Sequence, residues 1–433
     1  MKAESREFGR LFSEPTRNGL NRPKAVRGSG VKMINMGEIF AYSRLSNVPM
    51  DRVSIDSEDR DKVILVEGDL LFARQSLVLE GAGKCSIFLG DVESVTFESH
   101  IIRVRLDEKQ CVPLFYFYYF QSPRGKAAIY SIVEQGAGAS GIRGSDLARL
   151  LVDWYPTSYQ NGVANILDSI DKKIEINRII ATGHEDILRA IFRSWFVDFD
   201  PVKSKAAGAK SFPSMPQSVF DALPAGFVDS EIGLIPESWV VSELGDIARE
   251  KRVGVHPSNI LKSTPYIGLE HMPRRSIALS EWGQSGSVSS NKASFSSGDI
   301  LFGKLRPYFH KVGVAAIDGV CSTDIVVLQP AYPPWFGFVL GLVSSDEFVA
   351  HTAACSGGTK MPRTNWRDMA RYKVCLPPEV MAEAVTGIFS PFVQSIISNT
   401  FESKKLAKMR DYLLPKLLTG EVGLSSVEPE IQG

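Results

Sequence analysis

Gly68-Asp69-Leu70-Leu71-Phe72-Ala73-Arg74 returns later in the chain as Gly298-Asp299-Ile300-Leu301-Phe302-Gly303-Lys304. A glycine and an aspartate, a short apolar run and a polar end recur in one order, and a cation closes both copies. More of the chain repeats around them. Val31-Lys32-Met33-Ile34-Asn35-Met36 has its counterpart in Thr264-Pro265-Tyr266-Ile267-Gly268-Leu269. Glu98-Ser99-His100-Ile101-Ile102-Arg103-Val104 matches Ser322-Thr323-Asp324-Ile325-Val326-Val327-Leu328, and Asp146-Leu147-Ala148-Arg149 matches Asp368-Met369-Ala370-Arg371. The offset falls from 233 residues at Val31/Thr264 to 222 at Asp146/Asp368, so loops differ in length on a constant frame. Loop variation on a fixed frame is where binding preference usually resides. The chain reads as two similar domains, an arrangement suited to holding something at two places.

The frame is β-rich. Residues 63–66, 70–74, 85–89, 101–106, 300–304, 312–316 and 325–328 are short, β-branched or aromatic, and bounded by Gly or Pro. Helices are predicted at 114–121 and 336–344. Each half then ends in a heptad pattern. Leu167, Ile174, Ala181, Leu188 and Trp195 alternate with Val163, Ile170, Asn177, His184 and Ile191. Phe389, Ile396, Ser403, Arg410 and Leu417 alternate with Val385, Phe392, Asn399, Leu406 and Leu413. Steps of four and three residues are those of a coiled-coil seam. About five heptads make a rod on the order of 50 Å. An amphipathic helix packed on its own domain is the alternative. Asn177 and Asn399 fall at the same seam position, which predicts a helix-pair register device. Residues 201–236 hold five prolines and a Lys/Ala/Gly-rich stretch, and read as an extended, mobile linker. The tail after Glu421 is polar.

Bulk composition sets the limits. The chain has 433 residues, 44% hydrophobic and 23% charged, enough for two or three domains with real cores. Lys+Arg and Asp+Glu are both 49, so any nucleic-acid contact must come from local patches. Cys85, Cys111, Cys321, Cys355 and Cys375 form no CxxC pair and lack zinc-finger spacing to His, so buried, reduced thiols are expected. The amino terminus is polar, without a signal-peptide pattern. No run approaches the ~18–20 apolar residues of a membrane span. A cytoplasmic location follows as the expectation.

Catalytic patterns are missing. No GxGxxG follows a strand. The Gly-rich segments at 136–141 and 356–360 lack phosphate-loop spacing, and no HExxH occurs. Tyr332-Pro333-Pro334-Trp335 is superficially like the tetrapeptide of amino-methyltransferases, but a tyrosine lacks the carbonyl that accepts the target amine's hydrogen. His100 aligns with Asp324 and breaks the repeat. What recurs is positive charge on loops. Arg74 and Lys304 stand at one point of the repeat. Gln75 and Ser76 follow Arg74, and Arg143 lies in the first Gly-rich loop. Lys304, Arg306 and Tyr308 share an acid-free stretch with interleaved aromatics, and Lys360, Arg363 and Asn365 form another. Arg and Lys serve phosphates or guanine edges, and Gln and Asn suit adenine. A solvated basic face is the alternative reading for any one of them.

At this point the chain resembles a known family, the specificity subunits of type I restriction–modification systems. Ile191-Phe192-Arg193-Ser194-Trp195-Phe196-Val197-Asp198-Phe199-Asp200-Pro201-Val202 is similar to the family's central conserved region. Gly233-Leu234-Ile235-Pro236-Glu237-Ser238-Trp239 and Leu244-Gly245-Asp246-Ile247 resemble the opening of a target-recognition domain. Met409-Arg410-Asp411-Tyr412-Leu413-Leu414-Pro415-Lys416-Leu417-Leu418-Thr419-Gly420-Glu421-Val422 resembles the distal conserved region. The likeness covers almost the whole chain in the right order.

The resemblance implies an α+β protein with two β-rich target-recognition domains. Each is followed by a long helix, and the two helices pair as an antiparallel coiled coil. The implied layout is a first recognition domain at 1–158, a spacer helix at 159–200, a linker at 201–236, a second recognition domain at 237–378, a second spacer helix at 379–420 and a tail at 421–433. Each domain would read half of a bipartite, asymmetric site in double-stranded DNA, with the helices as a ruler. Two modification subunits and the restriction subunits would be the partners. S-adenosylmethionine, ATP and Mg would be bound by those partners and no cofactor by this chain, which would be non-catalytic. One departure stands out: the Gly-x-Ile-Pro-x-x-Trp opening is missing before the first domain, near Phe8-Gly9-Arg10-Leu11-Phe12, which puts that domain's outer strand in question. A scaffold that binds something other than DNA, or a stand-alone DNA-modifying enzyme, are the rival readings.

Overall fold

Gly68 and Gly298 adopt φ of 91° and 89°, a left-handed conformation that suits glycine. The aspartate that follows each is buried and closes the turn with its side chain. Asp69 accepts from the Val66 amide at 2.9 Å, and Asp299 from the Ser296 amide at 2.8 Å. Arg105 then clamps both oxygens of Asp69 at 2.7 Å. Lys251 at 2.9 Å and Gln329 at 2.6 Å do the same for Asp299. Each turn launches a central strand, Leu70–Ala73 and Ile300–Gly303.

The computed structural model describes residues 3–136, 138–287, 289–358 and 361–424. It divides into two units: residues up to Lys172 together with those from Leu406 onward, and Lys173–Lys405.

The first unit has a five-stranded sheet in the order Arg17–Asn18, Ile101–Val104, Leu70–Ala73, Cys85–Phe88, Arg44–Leu45. The second has Ala248–Glu250, Ile325–Pro330, Ile300–Gly303, Val312–Val314. The register repeats as well. Phe72 faces Ile102 and Cys85, as Phe302 faces Val326 and Val312. A second sheet in each unit contains one parallel pair, Arg27–Ile34 with Val95–Phe97 and Pro265–Ile267 with Gly319–Cys321.

The central strands are buried on both faces, which explains a continuous apolar run where alternation would mark a one-sided sheet. Leu301 and Val327 join Ile267 and Phe295 of the second sheet. Ile300, Phe302, Val326 and Leu328 face helices, among them Phe338, Val385 and Phe389. In the first unit Leu71 packs with Ile34 and Phe97, while the Phe72 ring lies 5.2 Å from that of Phe120 on the aromatic helix Pro113–Gln121.

The doubted outer strand is present. Glu4–Glu7 pairs with Leu151–Trp154 as Val240–Glu243 pairs with Lys373–Leu376. A short turn follows each, Phe8–Leu11 and Leu244–Ile247. A Cβ on Gly9 would lie 3.0 Å from the Ala148 Cβ, and one on Gly245 would lie 3.2 Å from the Ala370 Cβ. This close approach accounts for the repeated Asp-x-Ala-Arg segments.

The long helices run Thr157–Phe196 and Glu379–Thr419, near the predicted 159–200 and 379–420, and each contributes to both units. Within the first unit, Tyr155 and Tyr159 donate to the carbonyls of Leu418 and Leu417, and Arg410 donates to the buried Asp171 at 2.7 Å. Within the second, Asn177 donates to Glu402 at 2.7 Å and the His184 ring lies 4.7 Å from Phe392. Numbers rise on one helix as they fall on the other in both cases.

Of the two seam asparagines, Asn177 donates across to Glu402 of the other long helix and Asn399 donates to Ser395 on its own helix. Three expectations need correction. Residues 201–236 are not an extended linker. They form helices Asp200–Ala206 and Gln217–Asp221 and the hairpin Phe227–Ser230/Gly233–Pro236, with Val202, Val219, Phe220 and Ile235 in the core of the second unit. The apolar residues among the prolines supply the burial that fixes them. Residues 63–66 lead into the Gly-Asp turn rather than forming a strand, at the end of helix Ser57–Val63. Cys355 is exposed, unlike the other four cysteines. Glu379–Thr419 also contains an 18-residue window of mean hydropathy 1.4, long and apolar enough to cross a membrane by composition. Its apolar positions Met381, Val385, Phe389, Val393 and Ile396 are buried in the core of the second unit.

Replacing Asp299 by Ala strands Lys251 and Gln329, and should cost about 3 kcal/mol. Calorimetry should register this as a fall in Tm of roughly 6–12 °C for a unit of this size. An unchanged Tm would contradict the keystone role of the carboxylate.

Candidate nucleic-acid interface

The central strands continue past their apolar residues. The Arg74 amide donates to the His100 carbonyl at 2.8 Å, and the Arg74 carbonyl accepts from Ile142 at 2.9 Å. The Lys304 amide donates to Asp324 at 2.9 Å, and its carbonyl accepts from Thr364 at 3.0 Å. In the first unit Gln75–Ser76 pairs with Ser140–Gly141, which pairs with Glu134–Gln135. In the second, Leu305 and Gly357 bridge to Arg363. Ser140–Gly141 in the first half and Gly357 with Arg363 in the second thus form a flap beside the end of the Gly-Asp strand. Candidates that are distant in sequence meet along one edge.

In the first unit Arg74 is exposed. Arg143 donates to Glu134 at 2.6 Å, and both are open to water, so this pair holds weakly. Gln75 Nε2 lies 2.9 Å from His100 Nδ1. The Ser76 hydroxyl accepts from the Val78 amide and closes its own turn.

In the second unit the strand enters a strained turn. Arg306 and His310 hold φ of 51° and 52° on either side of Pro307–Phe309. Left-handed non-glycine residues cost roughly 1–3 kcal/mol each and persist where the surroundings over-determine them. His310 is buried, and its Nε2 bonds the Ser344 carbonyl at 2.9 Å. Burial pushes its pKa below the usual histidine range. The Arg274 guanidinium stacks 4.0 Å from the Phe309 ring centre, and the Arg306 amide donates to Pro362 at 2.7 Å. Tyr308 is the residue this turn holds outward, 53% exposed. Lys304 is half-buried. Arg363 is exposed and paired with Asp324 at 3.2 Å. Lys360 lies outside the described residues. Asn365 is a helix cap: its oxygen accepts from the Asp368 amide at 3.1 Å and its nitrogen donates to the Asp368 carboxylate at 2.6 Å. The Asn365 amide is thus held at both ends against Asp368, at the start of helix Trp366–Ala370.

The helices anchor these surfaces. Glu185 of the first long helix is buried and accepts from the Ser276 hydroxyl at 2.6 Å and the Ile277 amide at 3.1 Å. Burial raises its pKa, against those bonds and Arg189. The corresponding tie in the first unit runs from Arg44 to Asp168 at 2.6 Å and from Tyr118 to Asp171 at 2.8 Å.

Sequence reasoning missed three features. His100 and Asp324 are partners of candidate side chains, which only the folded edge brings together. Arg274 comes from a remote loop. Leu77 is 88% exposed beside Val78, just past Gln75 and Ser76. An apolar pair directly after a polar edge was a readable signal, since no helix or strand there could bury it.

Cations, an amide, a tyrosine and exposed apolar groups on loops held by a rigid frame suit contacts to phosphates, base edges and thymine methyls. Two such edges stand on one duplicated α+β frame. The chain is 24% identical over 450 aligned positions to the type I restriction enzyme HindI specificity subunit of Haemophilus influenzae, covering 90% of this chain and 94% of that one. It is 22% identical to the MjaIX specificity subunit of Methanocaldococcus jannaschii, over 71% of this chain and 68% of that one. Among solved structures, the S subunit of the type I restriction–modification system from M. genitalium superposes with a TM-score of 0.57 at 14% identity, covering 96% of each chain. No protein-family model matches. The chain therefore has the type I S-subunit fold and resembles these specificity subunits over 90% and 71% of its length.

Replacing Arg74 by Ala should weaken binding to any duplex about equally and lower the log–log salt slope by about 1. A slope identical to that of the unaltered protein would remove Arg74 from the phosphate-contacting set.

Proposed function

We propose that this chain is the specificity subunit of a type I restriction–modification complex and reads a bipartite, asymmetric site in double-stranded DNA. The observation that carries the reading is the duplicated edge: one backbone lattice around Arg74 and around Lys304, dressed with different side chains. A shared lattice with unlike surfaces is what two unlike half-sites require. Arg74, Gln75, Ser76 and Arg143 would serve one half-site, and Lys304, Arg306, Tyr308, Lys360 and Arg363 the other. The two long helices would pair as an antiparallel coiled coil and fix the gap between half-sites.

Catalysis would lie with the partners. Modification subunits would bind S-adenosylmethionine, restriction subunits would bind ATP and Mg, and the chain would act in the cytoplasm. A docking surface is available for them on the first long helix. Ile176, Ile179, Ile180 and Ile187 are all exposed, and their spacing places them on one helix face. Exposed aliphatic stripes of this kind mark protein contacts. Replacing Ile179 and Ile187 by Asp should abolish co-purification with the modification subunit while leaving Tm unchanged. Retained co-purification would rule out this face.

Inserting one heptad into each helix lengthens a helix by about 10 Å, or roughly three base pairs. Selection from randomised duplexes should then return the same half-sites with a longer spacer. An unchanged spacer would refute the ruler, and salt-independent or absent duplex binding would favour a scaffold for another ligand.

A further inference from the structure

The two recognition edges differ in one systematic way. At the position that pairs in the flap, the first unit has Gln75 on the strand opposite Gly141, and the second has Leu305 on the strand opposite Arg363. The long polar side chain comes from the strand in one unit and from the flap in the other. In both, it is met by the side chain of the residue whose carbonyl holds the strand end. Gln75 Nε2 donates to His100 Nδ1 at 2.9 Å. Arg363 pairs with Asp324 at 3.2 Å. His100 and Asp324 occupy one position of the repeat, bonded through their carbonyls to Arg74 and Lys304. The post changed chemistry together with the side chain it supports.

We infer that His100 and Asp324 are positioning residues for base recognition, Asp324 presenting Arg363 to guanine and His100 presenting Gln75 to adenine. The inference rests on the DNA-recognition reading and adds to it the base class at one position of each half-site. A guanidinium has five donors in a fixed fork. With Nη2 held by Asp324, the guanidinium of the exposed Arg363 keeps donors enough for the paired acceptors N7 and O6 of guanine. The Gln75 amide has two N–H groups. With one directed at His100, the other N–H and the carbonyl oxygen are the donor and acceptor that adenine N7 and N6 require. Fixing either side chain before binding spares the loss of freedom that a floppy reader would suffer on contact.

The test is selection of binding sites from randomised duplexes by the full chain with its modification subunit. One position of the half-site read by the second unit should favour guanine on the order of tenfold or more. Arg363→Ala should flatten that position, and Asp324→Ala should weaken the preference several-fold. A probe carrying 7-deazaguanine there should bind the unaltered protein more weakly and leave Arg363→Ala unaffected. His100→Ala should relax an adenine in the other half-site, while His100→Asn, which restores an acceptor, should recover it. In every variant the untouched half-site reports that the chain is folded. Half-sites that stay sharp and unmoved in both Asp324→Ala and His100→Ala would overturn this inference alone. An unaltered protein without sequence preference would overturn it together with the DNA-recognition reading.

Discussion

A buried carboxylate behind a left-handed glycine is the constraint on which each half of the protein depends. Asp69 and Asp299 have almost no solvent access, and each closes its own turn and takes a cation: Arg105 in one unit, Lys251 in the other. An ionised group at such depth is tolerable only with its partners in place. The turn sets where the central strand begins, hence which of its residues meet the helices and which meet the second sheet. It also sets where the strand ends, and its end is Arg74 or Lys304. Structure and proposed recognition surface therefore share one origin.

The frame constrains; the edge varies. Backbone bonds around residues 74 and 304 agree within 0.1 Å between the units. The side chains placed there do not agree: an amide and a histidine in one, a guanidinium, a carboxylate and a strained aromatic turn in the other. Duplication followed by divergence at such an edge gives two different readers without rebuilding a core. In a chain of zero net charge, the cations of these edges are the local patches that the proposed DNA contact would use.

Much of this was legible in the sequence. The Gly-Asp repeat marked the central strands, because a glycine with positive φ followed by a capping aspartate is a local requirement. The heptads marked both long helices to within a few residues, since Pro156 and Pro377-Pro378 stand at their starts. What failed was tertiary. The prolines at 201–236 suggested an open linker, but Val202, Val219, Phe220 and Ile235 found a core to enter. Asn177 and Asn399 looked alike by position, yet their partners depend on which residue the opposite helix presents, and Glu402 decided it for Asn177 alone. Asn365 read as a base contact and serves as a cap, because an Asn three residues before an Asp at a helix start satisfies the local backbone first. The support of Gln75 by His100 could not be read at all without the folded edge.

A genome-wide map of methylated adenines, from a strain expressing this chain with its modification subunit, tests the central claim most directly. The account predicts one new motif, bipartite and asymmetric, with two unlike half-sites at a single fixed spacing. No new methylation, a continuous motif, or half-sites at variable spacing would contradict it.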